Sequence, residues 1–405
     1  MGVSIWEGNK AERLVDAIEQ IAIAQSTGID ITNYRQIADI VKYGKGREFF
    51  HIGDQVITDW SDGTNTFTLP WDIVDFGTVK DTLGNIHPNA MWLESHYALP
   101  GVQFSGNNAF FVTNAIMAPG TYFFTIGNNW GTHCVQGKIY EFTTTKEIPA
   151  NSQLVLGTAS SNTSGLPDTD PANWRVRTYK TPYQKDPDEI LVLTDVESSS
   201  GTDLGVLSSS TVYSESGINN MQRSAYGYNR WSHSAIRQWL NSMDDPEAWW
   251  KHKNPFDHRP DQLANMRGFM AGLPADFLSI INPVKVTTAL NTVTDMAFGD
   301  TEDTTDRFFL ASLQQEFINP QISGVEGSEW EYWVERLGTQ HQQYTVRQEH
   351  IRYAIENHGA AQTCRLRSAY RGYAYYTWNV NSSGYASYGY YATYAYRPVP
   401  ACVIY

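Results

Sequence analysis

Residues 368–396 read SAYRGYAYYTWNVNSSGYASYGYYATYAY, and the chain then closes with RPVPACVIY (397–405). Ten of the 24 tyrosines of the chain lie in this tail, whose other residues are mostly Ala, Ser, Gly, Asn and Thr. No Asp or Glu follows Glu356, although the chain as a whole has a net charge of −14. The tail is the most unusual part of the sequence and dominates its interpretation.

The mixture of Tyr, Ser, Gly and Asn is typical of antibody paratopes, because a Tyr side chain offers a large amphipathic contact area and has only two torsions to freeze. Two other interpretations stay open: a low-complexity segment that is disordered or self-associating, and ordinary core or sheet residues. The apolar RPVPACVIY segment favours an ordered tail, because it would anchor the tail inside a fold. Ten hydroxyl groups in a core would each need a hydrogen-bond partner. Composition therefore favours a binding surface.

Length and charge limit the class of protein. At 405 residues the chain is long enough for two or three domains. Its 43 acidic residues outnumber its 29 basic residues, which argues against general binding to nucleic acids or anionic membranes. No stretch approaches the roughly 20 apolar residues that span a bilayer, and the N-terminus lacks the apolar core of a signal peptide. We therefore expect neither nucleic-acid binding nor membrane insertion.

The pattern along the chain predicts three parts. Apolar residues recur at helical spacing in residues 10–24 and again in 37–41, which predicts a helical segment over 1–45. This segment is either a hairpin packed on its own domain or an oligomerisation or docking segment. Short β-branched and aromatic runs separated by turn residues predict a β-sandwich-like domain over 46–150. Residues 151–405 mix helical and strand patterns, so the predicted fold class is α+β.

Four segments upstream of the tail add to its interpretation: YGYNRWSHSAIRQWLNS (226–242), FMAGLPADFLSIINPVKVTTALNTVTD (269–295), TTDRFFLASLQQEF (304–317) and EGSEWEYW (326–333). With CRLRS (364–368), the tail and its closing segment, they resemble the variable proteins of diversity-generating retroelements, which occur in phages and in bacteria of gut communities. The resemblance covers roughly residues 150–405. It implies a C-type-lectin-type fold for residues 151–405, of the kind shared with formylglycine-generating enzymes.

The resemblance also implies that a reverse transcriptase copies a template repeat and mutates its adenines, which randomises AAC and AAT codons. Such codons can become Tyr, Ser, Gly, Ala, Thr, Asp or His codons, but not Lys, Glu, Gln, Met or Trp codons. Residues 368–396 contain no Lys, Glu, Gln or Met and a single tryptophan, Trp378, which we assign to the fixed scaffold. CRLRS and RPVPACVIY would be scaffold as well. The expected ligand contacts are Tyr373, Tyr375, Tyr376, Asn379, Asn381, Tyr385, Ser387, Tyr388, Tyr390, Tyr391, Tyr394 and Tyr396.

Catalysis receives little support from the sequence. Formylglycine-generating enzymes use a pair of active-site cysteines, but Cys364 and Cys402, which flank the tail, lie in no recognisable site motif. Together with Cys134 they are better interpreted as buried reduced thiols than as a disulfide. Because a shared fold does not carry a shared function, we expect no enzyme and no catalytic residue.

Metal binding receives little support either. His350 and His358 would lie two turns apart on a helix, too far for one metal ion, and together with His341 we interpret them as solvated helix residues. The acidic stretch GDTEDTTD (299–306) lacks the glycine and glutamate spacing of a calcium loop, and we interpret it as a solvated loop. The expectation is no metal and no cofactor.

Taken with these observations, the resemblance implies a diversified display protein, and specifically a phage receptor-binding (tropism) protein in the virion tail. Its target would be a surface protein or a glycan, phage tail proteins would be further partners, and a homo-oligomer such as a trimer would multiply weak contacts. Without a signal peptide, a cytoplasmic location is the alternative to the virion. The alternative function is a structural virion or assembly protein whose tail is not diversified.

Overall fold

The computed structural model describes residues 34–106, 110–129, 133–160, 166, 170–207, 219–221 and 226–405. Strands dominate these ranges, which contain 22 β-strands but only five α-helices of four to nine residues. The helices are α1 (Tyr34–Lys42), α2 (Gly46–Phe49), α3 (Ala235–Leu240), α4 (Ala275–Leu278) and α5 (Glu331–Leu337). None of the described helices has the length and apolarity needed to cross a membrane.

The strands are short and follow one another closely along the chain. In chain order they are β1 (Gln55–Ser61), β2 (Thr66–Lys80), β3 (Ile86–Ser95), β4 (Phe111–Thr113), β5 (Gly120–Ile126), β6 (Ile139–Thr144), β7 (Gln153–Thr158), β8 (Trp174–Tyr179), β9 (Glu189–Val192), β10 (Thr194–Val196), β11 (Thr202–Leu207), β12 (Asn219–Met221), β13 (Val284–Ala289), β14 (Thr301–Asp306), β15 (Phe309–Leu310), β16 (Arg352–Tyr353), β17 (Ala361–Gln362), β18 (Cys364–Ala369), β19 (Tyr376–Val380), β20 (Ala386–Tyr391), β21 (Arg397–Pro398) and β22 (Pro400–Ile404).

The first sheet joins the two ends of the described chain. Its strand order is β1-β2-β3-β22-β15, and β22 pairs antiparallel with β3, with Cys402 opposite Leu93. All five residues of β22 are buried, as expected for an apolar strand inside a sheet. Helix α1 packs Ile37, Ile40 and Val41 into the same core. The closing segment therefore anchors the tail as an ordered part of the fold.

A second core forms between two further sheets. Their strand orders are β10-β6-β5-β11 and β12-β4-β7-β8-β9. Burial alternates along β5 and along β6, as expected for strands with one face on a core. The two inner faces contribute side chains such as Phe124, Tyr140 and Trp174 to one hydrophobic cluster that is separate from the first.

The tail forms a smaller sheet where the two cores meet. The strand order is β20-β19-β18-β21, and the hairpin of β19 and β20 carries five of the ten tail tyrosines. Tyr375, just before β19, packs in the second core, whereas Trp378 and Val380 of β19 pack in the first. The tail is therefore held from both sides.

The predicted fold class is wrong. We expected an α+β protein with an N-terminal helical segment, a β-sandwich-like domain over 46–150 and a C-type-lectin-type domain over 151–405. The described chain is mostly β-sheet, and strands β1–β3 share a sheet and a core with the last strand of the chain. Strands β4–β7, from the same expected β domain, instead build the second core with β8–β11. The long-range pairing of β3 with β22 brings the last strand of the chain into the first sheet.

The described helices are short. Residues 10–24, where the sequence predicts a helix, lie outside the described residues, and the apolar residues 37–41 belong to α1, which packs on the first sheet. Residues 259–282 form short 3₁₀ turns and the four-residue α4. Pro260, Gly268 and Pro274 interrupt this region, and residues of these two types end or prevent longer helices.

Candidate ligand-binding surface

The β19–β20 hairpin presents the tail. Tyr376 pairs with Tyr391 across the hairpin. At the turn, Asn381 Oδ1 accepts hydrogen bonds from the backbone N–H groups of Ser383 (2.9 Å) and Tyr385 (3.0 Å). Gly384 adopts φ +78°, a left-handed conformation that favours glycine. The expected contact Asn381 therefore has a structural role in the turn.

Tyrosine rings form a continuous layer over this hairpin and its flanking loops. Tyr370 stacks on Tyr388 with ring centroids 3.6 Å apart, and Tyr376 stacks on Tyr391 at 5.3 Å. From Tyr391 the layer continues through ring contacts to Tyr394 and then Tyr396, next to β21, and Tyr390 also contacts Tyr396. We call it the tyrosine surface and define it by its solvent-reaching members Tyr344, Tyr370, Tyr373, Tyr376, Tyr388, Tyr390, Tyr391, Tyr394 and Tyr396.

The expected contacts divide into three groups by exposure. Tyr373 and Tyr394 are the most exposed, at 41% and 42% of their full accessible area. Eight others are half-buried, namely Tyr376, Asn381, Tyr385, Ser387, Tyr388, Tyr390, Tyr391 and Tyr396. Tyr375 and Asn379 are buried, at 5% and 0%, so their side chains pack inside the protein instead of facing solvent. Asn379 Nδ2 and Oδ1 both lack a hydrogen-bond partner among the described residues.

Sequence reasoning missed three aromatic members of the site. Tyr226 stacks on Tyr391 at 4.0 Å from the YGYNRW segment. Tyr344, which adopts φ +61°, packs edge-on against Tyr388 at 5.8 Å. Tyr370 belongs to the tail but was not among the expected contacts. The tyrosine-rich composition of the tail could have identified Tyr370 as a member of the site. Tyr344 is isolated in the sequence, and no pattern around it predicts that it belongs to the site.

Asn229 fixes the loop that leads into β19. This side chain is completely buried, and its Nδ2 donates to the backbone carbonyls of Tyr370 (3.1 Å), Tyr373 (2.7 Å) and Tyr376 (2.7 Å). The Nδ2 of an amide carries only two N–H groups, so the three carbonyls must share them, with one N–H donating to two carbonyls. The Asn229 backbone N–H also donates to the carbonyl of Ala374 at 2.8 Å. All four bonds reach the backbone, so they do not depend on which side chains the loop carries.

The orientation of the Asn229 amide follows from its neighbour. Asn291 Oδ1 accepts from the backbone N–H groups of Val293 (3.0 Å) and Thr294 (2.8 Å), so its Nδ2 is left to donate to Asn229 Oδ1 at 3.0 Å. With its oxygen engaged in this way, Asn229 turns its Nδ2 towards the tail.

Arg365 holds the other end of the tail. It is 1% exposed, and its Nη2 donates to the carbonyls of Tyr391 (3.1 Å) and Tyr394 (2.8 Å), while its Nη1 donates to Thr377 Oγ1. Its guanidinium also lies over the Tyr396 ring. Like Asn229, it restrains backbone atoms, and it lies in CRLRS, which the resemblance assigns to the scaffold.

The tyrosine surface is close to neutral. Burial, together with neighbouring tyrosines, raises the pKa of Tyr344 and of Tyr396 to about 12, so these hydroxyls stay protonated at physiological pH. Arg371 pairs with Asp300 at 2.6 Å, which neutralises the cation nearest to the loop. The surface therefore offers aromatic area and hydroxyl groups, not net charge.

The other candidate residues lie elsewhere. Cys134, Cys364 and Cys402 are free and buried, as the sequence predicted. His341 and His350 are not solvated helix residues: both are buried, with their Nδ1 atoms 2.9 Å apart. No group of three or more His, Cys, Asp or Glu residues is arranged to hold a metal ion within the described ranges.

The acidic stretch 299–306 is not the expected solvated loop. Most of it forms β14, which pairs with β13 along its length. Asp303 lies 2.6 Å from Lys285 Nζ, and Asp306 lies 2.6 Å from Arg237 Nε. These carboxylates are therefore engaged in ion pairs.

Comparison with known proteins adds one finding. Neither the curated proteins nor the solved structures give a match. A family model described as a domain of unknown function (DUF6273) matches residues 191–404, which include the tyrosine surface, Asn229 and Arg365. Because this match covers more than half of the chain, the protein belongs to the DUF6273 family.

Proposed function

We propose that this protein displays the tyrosine surface as a diversified ligand-binding site, and that it serves as a phage receptor-binding protein whose target is a surface protein or glycan. The observation that carries the proposal is the way the tail is held. Asn229 and Arg365, both outside residues 370–396, bind five backbone carbonyls of the tail. Side chains on such a backbone can change while its path is kept.

The chemistry of the surface supports binding. Tyrosines are enriched among residues that dominate binding energy, because each combines a large apolar area with a hydroxyl group and loses little entropy on binding. Stacking of Tyr370 on Tyr388 and of Tyr376 on Tyr391 restrains these rings before any ligand arrives. Such pre-organisation lowers the entropic cost of association. Several copies in one particle would add avidity to weak single contacts.

The residue types of the tail support diversification. Apart from Trp378, which we assign to the scaffold, they match what mutated AAC and AAT codons can encode, and the segments around the tail resemble the variable proteins of diversity-generating retroelements. Tyr373 and Tyr394, the most exposed tyrosines of the tail, lie in loops next to the strands and not within them. Exchange at these two positions changes the surface with little effect on the core.

The decisive experiment is to sequence the DNA that flanks the gene. We expect a near-copy of the codons for residues 365–400 that differs from the gene only where the copy carries adenines, beside a gene for a reverse transcriptase. The copy would then identify each diversified position. Flanking DNA without such a repeat would contradict diversification.

One observation favours the structural alternative, an assembly protein whose tail is not diversified. Several rings of the tail pack on each other, and Tyr375 belongs to the second core. Replacing Tyr373, Tyr390 and Tyr394 together by Ser distinguishes the two functions. A display surface should keep the solubility and assembly of the protein and lose only binding, whereas an assembly surface should lose solubility or assembly. The matched control is Tyr353→Ser, because Tyr353 is 41% exposed and lies outside the tail.

A further inference from the structure

The tail sheet ends in an open strand edge. Its two outer strands are β20 and β21. The edge at β21 is covered, because the Leu99 N–H donates to the Pro398 carbonyl at 3.0 Å and the Val102 N–H donates to the Tyr396 carbonyl at 3.3 Å. Beyond Ala386, no described strand or bridge covers the edge at β20.

A segment of the chain itself pairs with the start of β20. The Ala386 N–H donates to the Thr345 carbonyl at 3.2 Å, and the Tyr344 N–H donates to the Ala386 carbonyl at 2.8 Å. Val346 forms a bridge with Tyr385 in the same place. Tyr344 adopts a left-handed φ of +61°, and the pairing ends there. The edge thus accepts a peptide backbone at one end and is left open after it.

Tyr388 is the next residue whose backbone points to this edge. In an antiparallel pair, alternate residues direct their N–H and carbonyl groups to the same side, and Ala386 directs both of its groups away from β19. Tyr388, two residues further on, directs its groups the same way, and no described residue bonds to them. Gly389 is exposed, and a Cβ atom at this position would meet no atom within 4 Å. The space beside the strand is therefore open.

The sequence of β20 does not protect this edge. Edge strands are commonly guarded against pairing by charged residues or proline. The strand reads ASYGYY and contains neither. Its one irregularity is a register shift opposite Trp378, which adds a residue to β20. A bulge of this kind redirects side chains and leaves the neighbouring backbone groups free to pair.

Tyrosines stand on both faces of the open edge. Tyr388 and Tyr391 both contact Tyr376, with ring centroids 5.6 Å and 5.3 Å apart, so they share one face. Tyr390 precedes Tyr391 in the strand and contacts Tyr396 at 4.8 Å on the other face. Side chains of an added strand alternate between the two faces and would meet a tyrosine on each.

We propose that the open edge of β20 binds an extended segment of a partner protein, which joins the tail sheet as a further strand beside residues 388–391. The inference rests on the proposed function, in which the tyrosine surface binds a target, and it identifies that target as a protein and not a glycan. A row of backbone N–H and carbonyl groups complements another peptide backbone, as residues 344–346 do at the start of β20. These bonds do not depend on which side chains the tail carries.

Charge indicates which segment the edge takes. β20 carries no charge, and Arg371 near the tail is paired with Asp300. An uncharged segment with apolar or aromatic side chains therefore fits the tyrosine surface best. A second copy of this chain is disfavoured, because each copy has a net charge of −14.

Amide hydrogen exchange of the free, full chain tests the edge itself. The Ala386 N–H bonds to the Thr345 carbonyl, whereas the Tyr388 N–H has no described acceptor. We expect Tyr388 to exchange roughly tenfold faster or more, after correction for the intrinsic rates of the two residues. Equal protection of these two amides, or protection of Tyr388 that grows with protein concentration, would overturn the proposal.

A library of random linear peptides, selected for binding to the full chain, is the probe for the partner. Selected peptides are then N-methylated at alternate residues, in two complementary sets. The set whose N–H groups face β20 should weaken binding roughly tenfold or more, and the other set should change it by less than about twofold. Equal effects of the two sets, or a library that yields no saturable binder, would overturn strand addition.

Two variants at one position supply a second readout. Tyr388→Pro and Tyr388→Ala both remove the ring, but only Tyr388→Pro also removes the N–H that faces the edge. We expect a selected peptide to bind Tyr388→Pro roughly fivefold more weakly than Tyr388→Ala, with circular dichroism showing that both variants are folded. Should Tyr388→Pro not fold, the N-methylated peptides decide the question. A template repeat in the flanking DNA, together with equal binding by the two variants, would uphold the proposed function and overturn strand addition.

Discussion

The N–H donors of the Asn229 side-chain amide should stabilise the folded protein. An isosteric substitution tests this. Asn229→Asp keeps the shape of the side chain but replaces the Nδ2 group with an oxygen. That oxygen would face the carbonyl oxygens of Tyr370, Tyr373 and Tyr376 at the 2.7–3.1 Å now spanned by hydrogen bonds. Each buried carbonyl left without a partner costs about 1–3 kcal/mol. Some of this cost is relieved by relaxation of the loop, so we expect a loss of about 3–5 kcal/mol in the free energy of unfolding.

The matched control is Asn381→Asp. Asn381 acts in its turn through Oδ1, which accepts from Ser383 and Tyr385, and an aspartate oxygen accepts in the same way. This variant should therefore unfold within about 0.5 kcal/mol of the wild type. The comparison separates the loss of a buried donor from the general effect of adding one negative charge to the protein.

Denaturant unfolding measures the change in stability, and amide hydrogen exchange locates it. We expect faster exchange at Ala392 and Tyr370 in Asn229→Asp, because their N–H groups bind the carbonyls of Tyr375 and Tyr376 in the same loop. Lowering the pH should recover part of the stability, since a protonated carboxyl regains one donor. Equal unfolding midpoints for Asn229→Asp and Asn381→Asp, with unchanged exchange, would refute the reasoning.

Three further predictions concern the tail and the core. Tyr373→Ser should lower the free energy of unfolding by less than about 1 kcal/mol, close to the effect of Tyr353→Ser at the same exposure, as denaturant midpoints will show. Asn379→Val should raise the free energy of unfolding, measured by thermal denaturation, by about 1–2 kcal/mol, because it removes two buried polar atoms that lack partners and because valine favours a strand. A destabilised variant would show that the wild-type amide has a hydrogen-bond partner. Burial raises the pKa of Glu316 to about 7, so the folded state binds a proton that the unfolded state releases near pH 4.5. Stability should therefore fall by up to about 3 kcal/mol as the pH rises from 4.5 to 7; Glu316→Gln should flatten this part of the pH profile, and an unchanged slope would contradict the assignment.

The sequence predicted those parts of the fold that depend on local composition. The apolar RPVPACVIY segment forms a buried strand, and the three cysteines are buried and free. Burial of alternate residues in β5 and β6 follows the pattern of their apolar side chains. These features depend on residues that are neighbours in the chain, and periodicity reports them directly.

Long-range contacts could not be predicted in the same way. The pairing of β3 with β22 joins the two ends of the described chain and places strands β1–β3 and β22 in the first core. Asn229 lies 141 to 147 residues from the carbonyls that it binds, and a single asparagine produces no pattern. The segment around His350 has helical spacing, yet it turns into the short strand β16 because it pairs with β17.

The same contacts limit where the tail can vary. Thr377 accepts a hydrogen bond from the buried Arg365, and Trp378 packs in the first core, so exchange within β19 would damage the anchors of the surface. The side chains of Tyr373 and Tyr394 take part in neither of these two contacts, whereas their backbone carbonyls accept hydrogen bonds from Asn229 and Arg365. If the tail is diversified as proposed, most of the varied contacts should therefore lie in the loop before β19 and in the segment after β20, while β19 stays constant.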